Sequence, residues 1–137
     1  MRSWTSPRRA TTIAVMIDHI TVGVSDVKAA KKFYASALQP LGYTLAHEGD
    51  WGGGFANPLG QPVFWIRSSE EKPTSVHVAF HAESRALVDA FYGAAIAAGG
   101  KDNGAPGLRP HYHENYYAAF VHDADGHNIE AVSHKPE

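Results

Sequence analysis

Asp18-His19-Ile20-Thr21-Val22 and Val76-His77-Val78-Ala79-Phe80 are the two stretches that decide how this chain folds. Each sets a histidine at the head of an alternating run, and the two histidines stand 77 − 19 = 58 positions apart. The same offset carries Phe33-Tyr34 onto Phe91-Tyr92 and Gly42 onto Gly100. Several landmarks in one order at one spacing mark an internal repeat. The chain reads as two copies of one module, residues 16–69 and 73–133, joined near Glu70-Glu71-Lys72-Pro73. Residues 16–137 are expected to form one domain behind an N-terminal extension, residues 1–15.

Within each copy the pattern passes from period two to helical period. Ile20, Val22 and Val24 make one apolar face while His19, Thr21 and Gly23 make the other. Val76, Val78 and Phe80 oppose Ser75, His77, Ala79 and His81 in the same way. These are strands buried on one side, with both histidines turned from the apolar stripe. A helix is expected over Asp26 to Leu38 with Ser25 as its N-cap, and a second over Ser84 to Ala98. Gly42 and Gly99-Gly100 stand where helices stop. Strand-like runs follow at Tyr43–His47, Trp51–Ala56 and Val63–Arg67, then at Tyr116–His122 and His127–Val132. Asp123-Ala124-Asp125-Gly126 reads as the hairpin turn between the last two. Each module is thus βαβββ, an α+β architecture, with Lys101 to Pro110 carrying the weakest pattern.

Composition narrows the chemistry. There is no cysteine and there are nine histidines, so any transition metal here meets imidazole and carboxylate rather than thiolate. A net charge of −2 with 44% hydrophobic and 19% charged residues describes an ordinary globular protein. It argues against nucleic-acid or membrane-surface binding, both of which favour a basic patch. No apolar run approaches the ~18 residues of a membrane span. Arg8-Arg9 is followed only by the short apolar stretch Ile13 to Ile17, which runs into Asp18. It therefore reads as an upstream extension, with Met16 an alternative start, and not as an export signal. A cytoplasmic protein is expected.

Two histidines at one position of a repeated module become neighbours if the modules pack about a pseudo-two-fold axis. A carboxylate would complete such a site. Glu130 lies between apolar Ile129 and Ala131, and so shares a strand face with Asn128 and Val132. Singly, a strand histidine is more often a hydrogen-bonded surface residue, and a terminal-strand glutamate more often solvated. The repeat raises the joint case for His19, His77 and Glu130 as ligands of one divalent metal ion, because both histidines take the same non-core position. Two histidines and one carboxylate suit Fe(II), Mn(II) and similar ions and leave coordination sites open.

The stretches "DHITVGVSDVKAAKKFYASAL", "HVAFHAESRALVDAFYGAAIAAGG" and "FVHDADGHNIEAV" resemble the glyoxalase / bleomycin-resistance / extradiol-dioxygenase (vicinal oxygen chelate) superfamily over Met16 to Val132. The resemblance implies two tandem βαβββ modules with sheets curved around a metal-binding cup, with ligands from the first and last strand of each module. His19, His77 and Glu130 match three of those positions. The fourth falls in Val63-Phe64-Trp65-Ile66, which offers no ligand. That departure speaks against a glyoxalase I reaction, in which the fourth ligand also serves as base, and favours three-ligand relatives such as dioxygenases and thiol transferases. The tyrosine that the extradiol pattern carries ten residues before the glutamate is Phe120 here, and its upstream histidine would be His111 or His113. The metal implied is Fe, Mn, Zn or Ni. The modules of such proteins pair within one chain or across a dimer, and a homodimer is expected.

The segment Arg109-Pro110-His111-Tyr112-His113-Glu114-Asn115-Tyr116-Tyr117 is dense in polar aromatics. If the turn pairs His122 with His127, Ala119 lies opposite Glu130 and alternation puts Tyr117 on the metal side. Tyr117 is then a candidate proton shuttle and His113 a candidate acid/base. Thr21, Trp65, Arg109 and Tyr112 are candidates to contact substrate, Arg109 through an anionic group. Trp51, Phe55 and Trp65 are expected to line the first module's cup, and Gly52-Gly53-Gly54 to form a flexible turn. The expected function is a metal-dependent enzyme acting on a small oxygen-bearing substrate by lyase, dioxygenase or transferase chemistry. The alternative is a metal-free protein that sequesters a ligand, as bleomycin-resistance proteins do.

Overall fold

The computed structural model describes residues 17–137, so the extension, Arg8-Arg9 and the Met16 start lie outside the described residues. Eight strands and two α-helices follow in the order β1 (Ile20–Val24), α1 (Val27–Leu38), β2 (Thr44–Gly49), β3 (Gly52–Ala56), β4 (Pro62–Ser68), β5 (His77–His81), α2 (Arg85–Ala97), β6 (Lys101–Leu108), β7 (Tyr117–His122) and β8 (Asn128–Ser133). They make two four-stranded mixed sheets of one topology, β1-β4-β3-β2 and β5-β8-β7-β6. In each sheet the first and last strands of a repeat run parallel and the others antiparallel. The sequence repeat is therefore a repeat of βαβββ units.

Helix α1 begins one residue later than the sequence suggests. Asp26, not Ser25, is the N-cap: its backbone is extended and its carboxylate accepts from the amide of Ala29 at 3.0 Å. Helix α2 likewise begins one residue later than expected, because Ser84 is its N-cap and accepts from the amide of Leu87. Phe33, Tyr34, Ala37 and Leu38 of α1 and Val88, Phe91 and Ala95 of α2 are buried at helical spacing. They meet Val22, Val24, Phe55, Phe64 and Ile66 of the first sheet and Phe80, Val121, Ile129 and Ala131 of the second in one continuous core. Phe64 and Phe80, one from each sheet, meet edge to face with centroids 5.1 Å apart. Each sheet thus has a helix side, in the shared core, and an open side.

Two expectations about the first sheet are corrected. Phe55 does not line the open side; it is fully buried on the helix side against Tyr34 and Phe64. Gly52-Gly53-Gly54 is no turn, but opens strand β3 and is buried throughout. A Cβ on Gly52, at φ 151°, would stand 1.9 Å from the carbonyl oxygen of Ile66, and one on Gly54 would stand 2.5 Å from the ring of Trp65. Glycine is required there by close approach, not by chain reversal.

Candidate functional site

Cross-strand partners share a face, so the register of the second sheet decides which residues share the side of Glu130. Asn128 pairs with His77 and His122, Glu130 with Ala79 and Phe120, and Val132 with His81 and Ala118. His77, Glu130, Phe120 and, by alternation, Tyr116 therefore face the open side. Ala118, Phe120 and Val132 pack there into a small second apolar cluster, with Tyr116 against it.

This register differs by one residue from the expected pairing of His122 with His127. Five residues, Asp123 to His127, separate β7 from β8. The Asp123 carboxylate holds them in a compact loop by accepting from the amides of Asp125 at 2.9 Å and His127 at 2.8 Å. A one-residue change turns every side chain over. Tyr117 accordingly lies on the helix side and donates to Asp89 of α2 at 2.7 Å, with the Arg85 guanidinium over its ring. That hydrogen bond and partial burial raise its phenol above the ordinary 10.0. Tyr117 is not beside Glu130; Tyr116 is.

Glu130 is 1% exposed, and a buried carboxylate needs donors. It has two. His77 Nε2 donates to Oε1 at 2.7 Å, and the Tyr116 hydroxyl donates to Oε2 at 2.5 Å. Burial, with the bond to Glu130 and its charge behind it, pushes the Tyr116 phenol well above its ordinary 10.0, so Tyr116 is a fixed donor at neutral pH. The His77 ring is half-exposed and stands at the mouth of this pair.

His19 lies just ahead of β1, half-exposed, with Nδ1 2.8 Å from Asp18. It shares a surface hollow with His77, Ala79 and His81. Yet among the described residues only Asp123, Asp125 and His127 bring three potential ligand atoms within 4.8 Å of one another. His19 therefore does not meet His77 and Glu130 within one chain. Thr21 lies beside it in a hollow with Trp51, Trp65 and Arg67.

The Asp123, Asp125 and His127 group is a joint, not a site. His127 Nδ1 accepts from the amide of Val76 at 3.1 Å, and Nε2 donates to the carbonyl of Gly23 at 2.8 Å, which leaves the ring no lone pair for a cation. Asp123 accepts from the Tyr34 hydroxyl at 2.5 Å, and Asp125 from the amide of Ser25 at 3.1 Å. Three of these bonds, to Gly23, Ser25 and Tyr34, tie the second repeat to the first.

The remaining candidates rim the open side of the second sheet. Arg109 donates to the carbonyls of Gly107 at 2.9 Å and Ala105 at 2.8 Å, with its guanidinium over the Phe120 ring. Tyr112 is 55% exposed and meets Tyr116 edge to face. His113 Nδ1 donates to the carbonyl of Glu114 at 2.6 Å and its Nε2 lies 2.9 Å from Nδ1 of His134. Both imidazoles pack edge-on against Tyr116. Sequence reasoning missed Tyr116 and His134; a count of five connecting residues after His122 would have found the first, while His134 is brought in by its contacts with His113 and Tyr116.

The fold and this face together define a duplicated βαβββ protein whose open side carries a buried, doubly donated carboxylate beside an accessible imidazole. A family model described as the Glyoxalase/Bleomycin resistance protein/Dioxygenase superfamily matches residues 16–131, and the chain belongs to that superfamily. It is similar to a glyoxalase/bleomycin resistance protein from Albidiferax ferrireducens T118, with 30% identity, a TM-score of 0.76 and cover of 89% of this chain and 100% of that one. A glyoxalase/bleomycin resistance protein/dioxygenase family enzyme from Burkholderia phytofirmans PsJN shares the fold at 18% identity, TM-score 0.67, covering 88% and 100% of the two chains. So does a protein named oxidase ChaP-H2, at 23% identity, TM-score 0.63, covering 90% and 95%. The search of curated proteins found no match. No helix among the described residues is long and apolar enough to cross a membrane.

Proposed function

We propose that this protein is a metalloenzyme that binds one divalent ion on His77 and Glu130, with His19 as third ligand, and holds a small oxygen-bearing substrate against it. The observation that carries the reading is the 2.7 Å contact between His77 Nε2 and Glu130 Oε1, at a carboxylate that is otherwise buried. A nitrogen and an oxygen donor already in contact form the donor set that first-row divalent ions favour, so the residues fit the group. A bound ion would act there as a Lewis acid toward vicinal oxygens of the substrate.

The chain's own groups set the rest. Tyr116, holding the second oxygen of Glu130, fixes the orientation of that carboxylate and is a positioning residue. His113 and His134 at the rim are the acid/base candidates nearest Tyr116, and Arg109, Tyr112 and Thr21 stand where substrate would enter. Because His19 does not join the other two within one chain, we infer that the partner subunit's His19 completes the site in a homodimer. We take the protein to be cytoplasmic.

Metal analysis of protein purified without added metal tests this. The expected result is a stoichiometric ion that His77→Ala and His19→Ala variants each lose. Mixed dimers of His19→Ala and Glu130→Ala chains should regain part of the metal, because one of the two shared sites is then intact. A metal-free protein that binds an apolar ligand tightly would instead support sequestration, and a monomeric mass by light scattering would remove the shared site.

A further inference from the structure

The open side of the first sheet carries a different chemistry from the second. Across that sheet Thr21, Trp65, Gly54 and His47 form one row. The corresponding row of the second sheet, in the same strand order, is Ala79, Glu130, Phe120 and Gly104. Trp65 therefore occupies in the first repeat the place that Glu130 occupies in the second. Its ring fills the space over Gly54, and its indole Nε1 donates to the carbonyl of Pro62 at 2.9 Å, so the ring is fixed and its polar edge satisfied. His47 stacks on it at 5.5 Å with planes 12° apart, and Trp51 leans over it at 6.0 Å and 30°.

Two groups on this face are open to solvent. Trp51 is 46% exposed, a large area of apolar surface left in water. Arg67, two residues beyond Trp65 on the same strand face, is exposed and forms no ion pair among the described residues. Both line one hollow of about 240 Å³ with His19, Thr21, Trp65 and Ile66. A cavity of ~150 Å³ accepts benzene, so this one has room for a single substituted ring. Indole faces take planar π-systems, and a free guanidinium takes a carboxylate through two parallel bonds.

We propose that this hollow binds a single-ring aromatic carboxylate, the ring stacked against Trp51 and Trp65 and the carboxylate held by Arg67. The proposal deepens the reading of a small-molecule enzyme by naming the substrate class. It rests on that reading only for what happens to the bound ring, since the hollow itself is built from first-repeat residues. Among the acidic groups near this face in sequence, Asp18 is engaged with His19 and Glu48 with Lys31, while Asp50 precedes Trp51.

Calorimetric titration of the full-length protein as purified tests the proposal, with benzoate, benzamide and cyclohexanecarboxylate as probes and metal content measured on the same samples. Benzoate is expected to bind about tenfold more tightly than cyclohexanecarboxylate, which has the charge without the π-face. Arg67→Gln should weaken benzoate roughly tenfold or more and leave benzamide unchanged. Trp65→Leu should erase the preference for the aromatic ring, with an unchanged far-ultraviolet spectrum showing that the fold survives. Benzoate affinity should persist in a Glu130→Gln variant whether or not metal is retained, which separates this proposal from the metal reading. Equal affinity for the ring and its saturated analogue, no benzoate binding at millimolar concentration, or a loss in Glu130→Gln but not in Arg67→Gln would each overturn it.

Discussion

The two sheets share one topology, yet the same lateral row reads Thr21, Trp65, Gly54, His47 in the first and Ala79, Glu130, Phe120, Gly104 in the second. In both, a bulky ring lies over a glycine on the neighbouring strand: Trp65 over Gly54, and Phe120 over Gly104. The packing solution is retained while the chemistry is exchanged. One face carries a flat aromatic surface beside a cation, and the other a buried acid beside an imidazole. A duplicated fold thus supports two unlike open faces because the helix sides, not the open sides, build the core.

The contrast can be broken most severely at the acid. Glu130→Ala removes the acceptor from both His77 and Tyr116, and metal content by elemental analysis should fall to background while Trp65→Leu leaves it intact. Tyr116→Phe keeps the acid but frees one oxygen; metal affinity measured against a competing chelator should drop about 10- to 100-fold, the usual effect of losing a partner of a ligand. The aromatic face is sharpened by Gly54→Ala, whose new Cβ meets the Trp65 ring; overpacking of this kind costs about 1–3 kcal/mol and should lower the melting temperature by several degrees. As a control, Gly93→Ala adds a methyl group in open space on α2, where a stabilisation of roughly 0.5–1 kcal/mol is expected.

The joint between the repeats has its own signature in alkaline titration. Burial, then the neighbouring Asp123 charge and bond, hold the Tyr34 phenol far above its ordinary 10.0. The folded chain keeps a proton that the unfolded chain releases. That contribution is complete below pH ~10 and is lost progressively as pH rises from there toward the folded value. Denaturant titrations across this range should show stability falling for the native chain and a flatter alkaline limb for Tyr34→Phe; identical limbs would exclude the linkage.

Much of this is legible in the sequence. The 58-residue offset, the period-two stripes around His19 and His77, and the helical spacing of Phe33 and Phe91 each follow from residues a few positions apart. What escaped were features set by side chains reaching back onto the backbone. Asp123 accepting two amides makes a five-residue connection out of an apparent four-residue turn, and the single added residue exchanges Tyr117 for Tyr116 at the carboxylate. Gly52-Gly53-Gly54 has loop composition, yet it is a strand because Trp65 and the β4 backbone occupy the space its side chains would need. β6 hides similarly behind Gly104, Pro106 and Gly107; it is an edge strand with two register shifts, where proline loses no ladder partner. The nearness of His77 to Glu130 was foreshadowed by the repeat and the alternation around each residue, whereas the separation of His19 depends on how the repeats dock, which no local pattern encodes.

That docking has a mechanical consequence. One loop grips the other repeat at Gly23, Ser25 and Tyr34 through three different side chains, so the halves of a single chain behave as one stiff body rather than as jaws. A hinge at residues 70–73 would have to break all three of these bonds at once before the repeats could part.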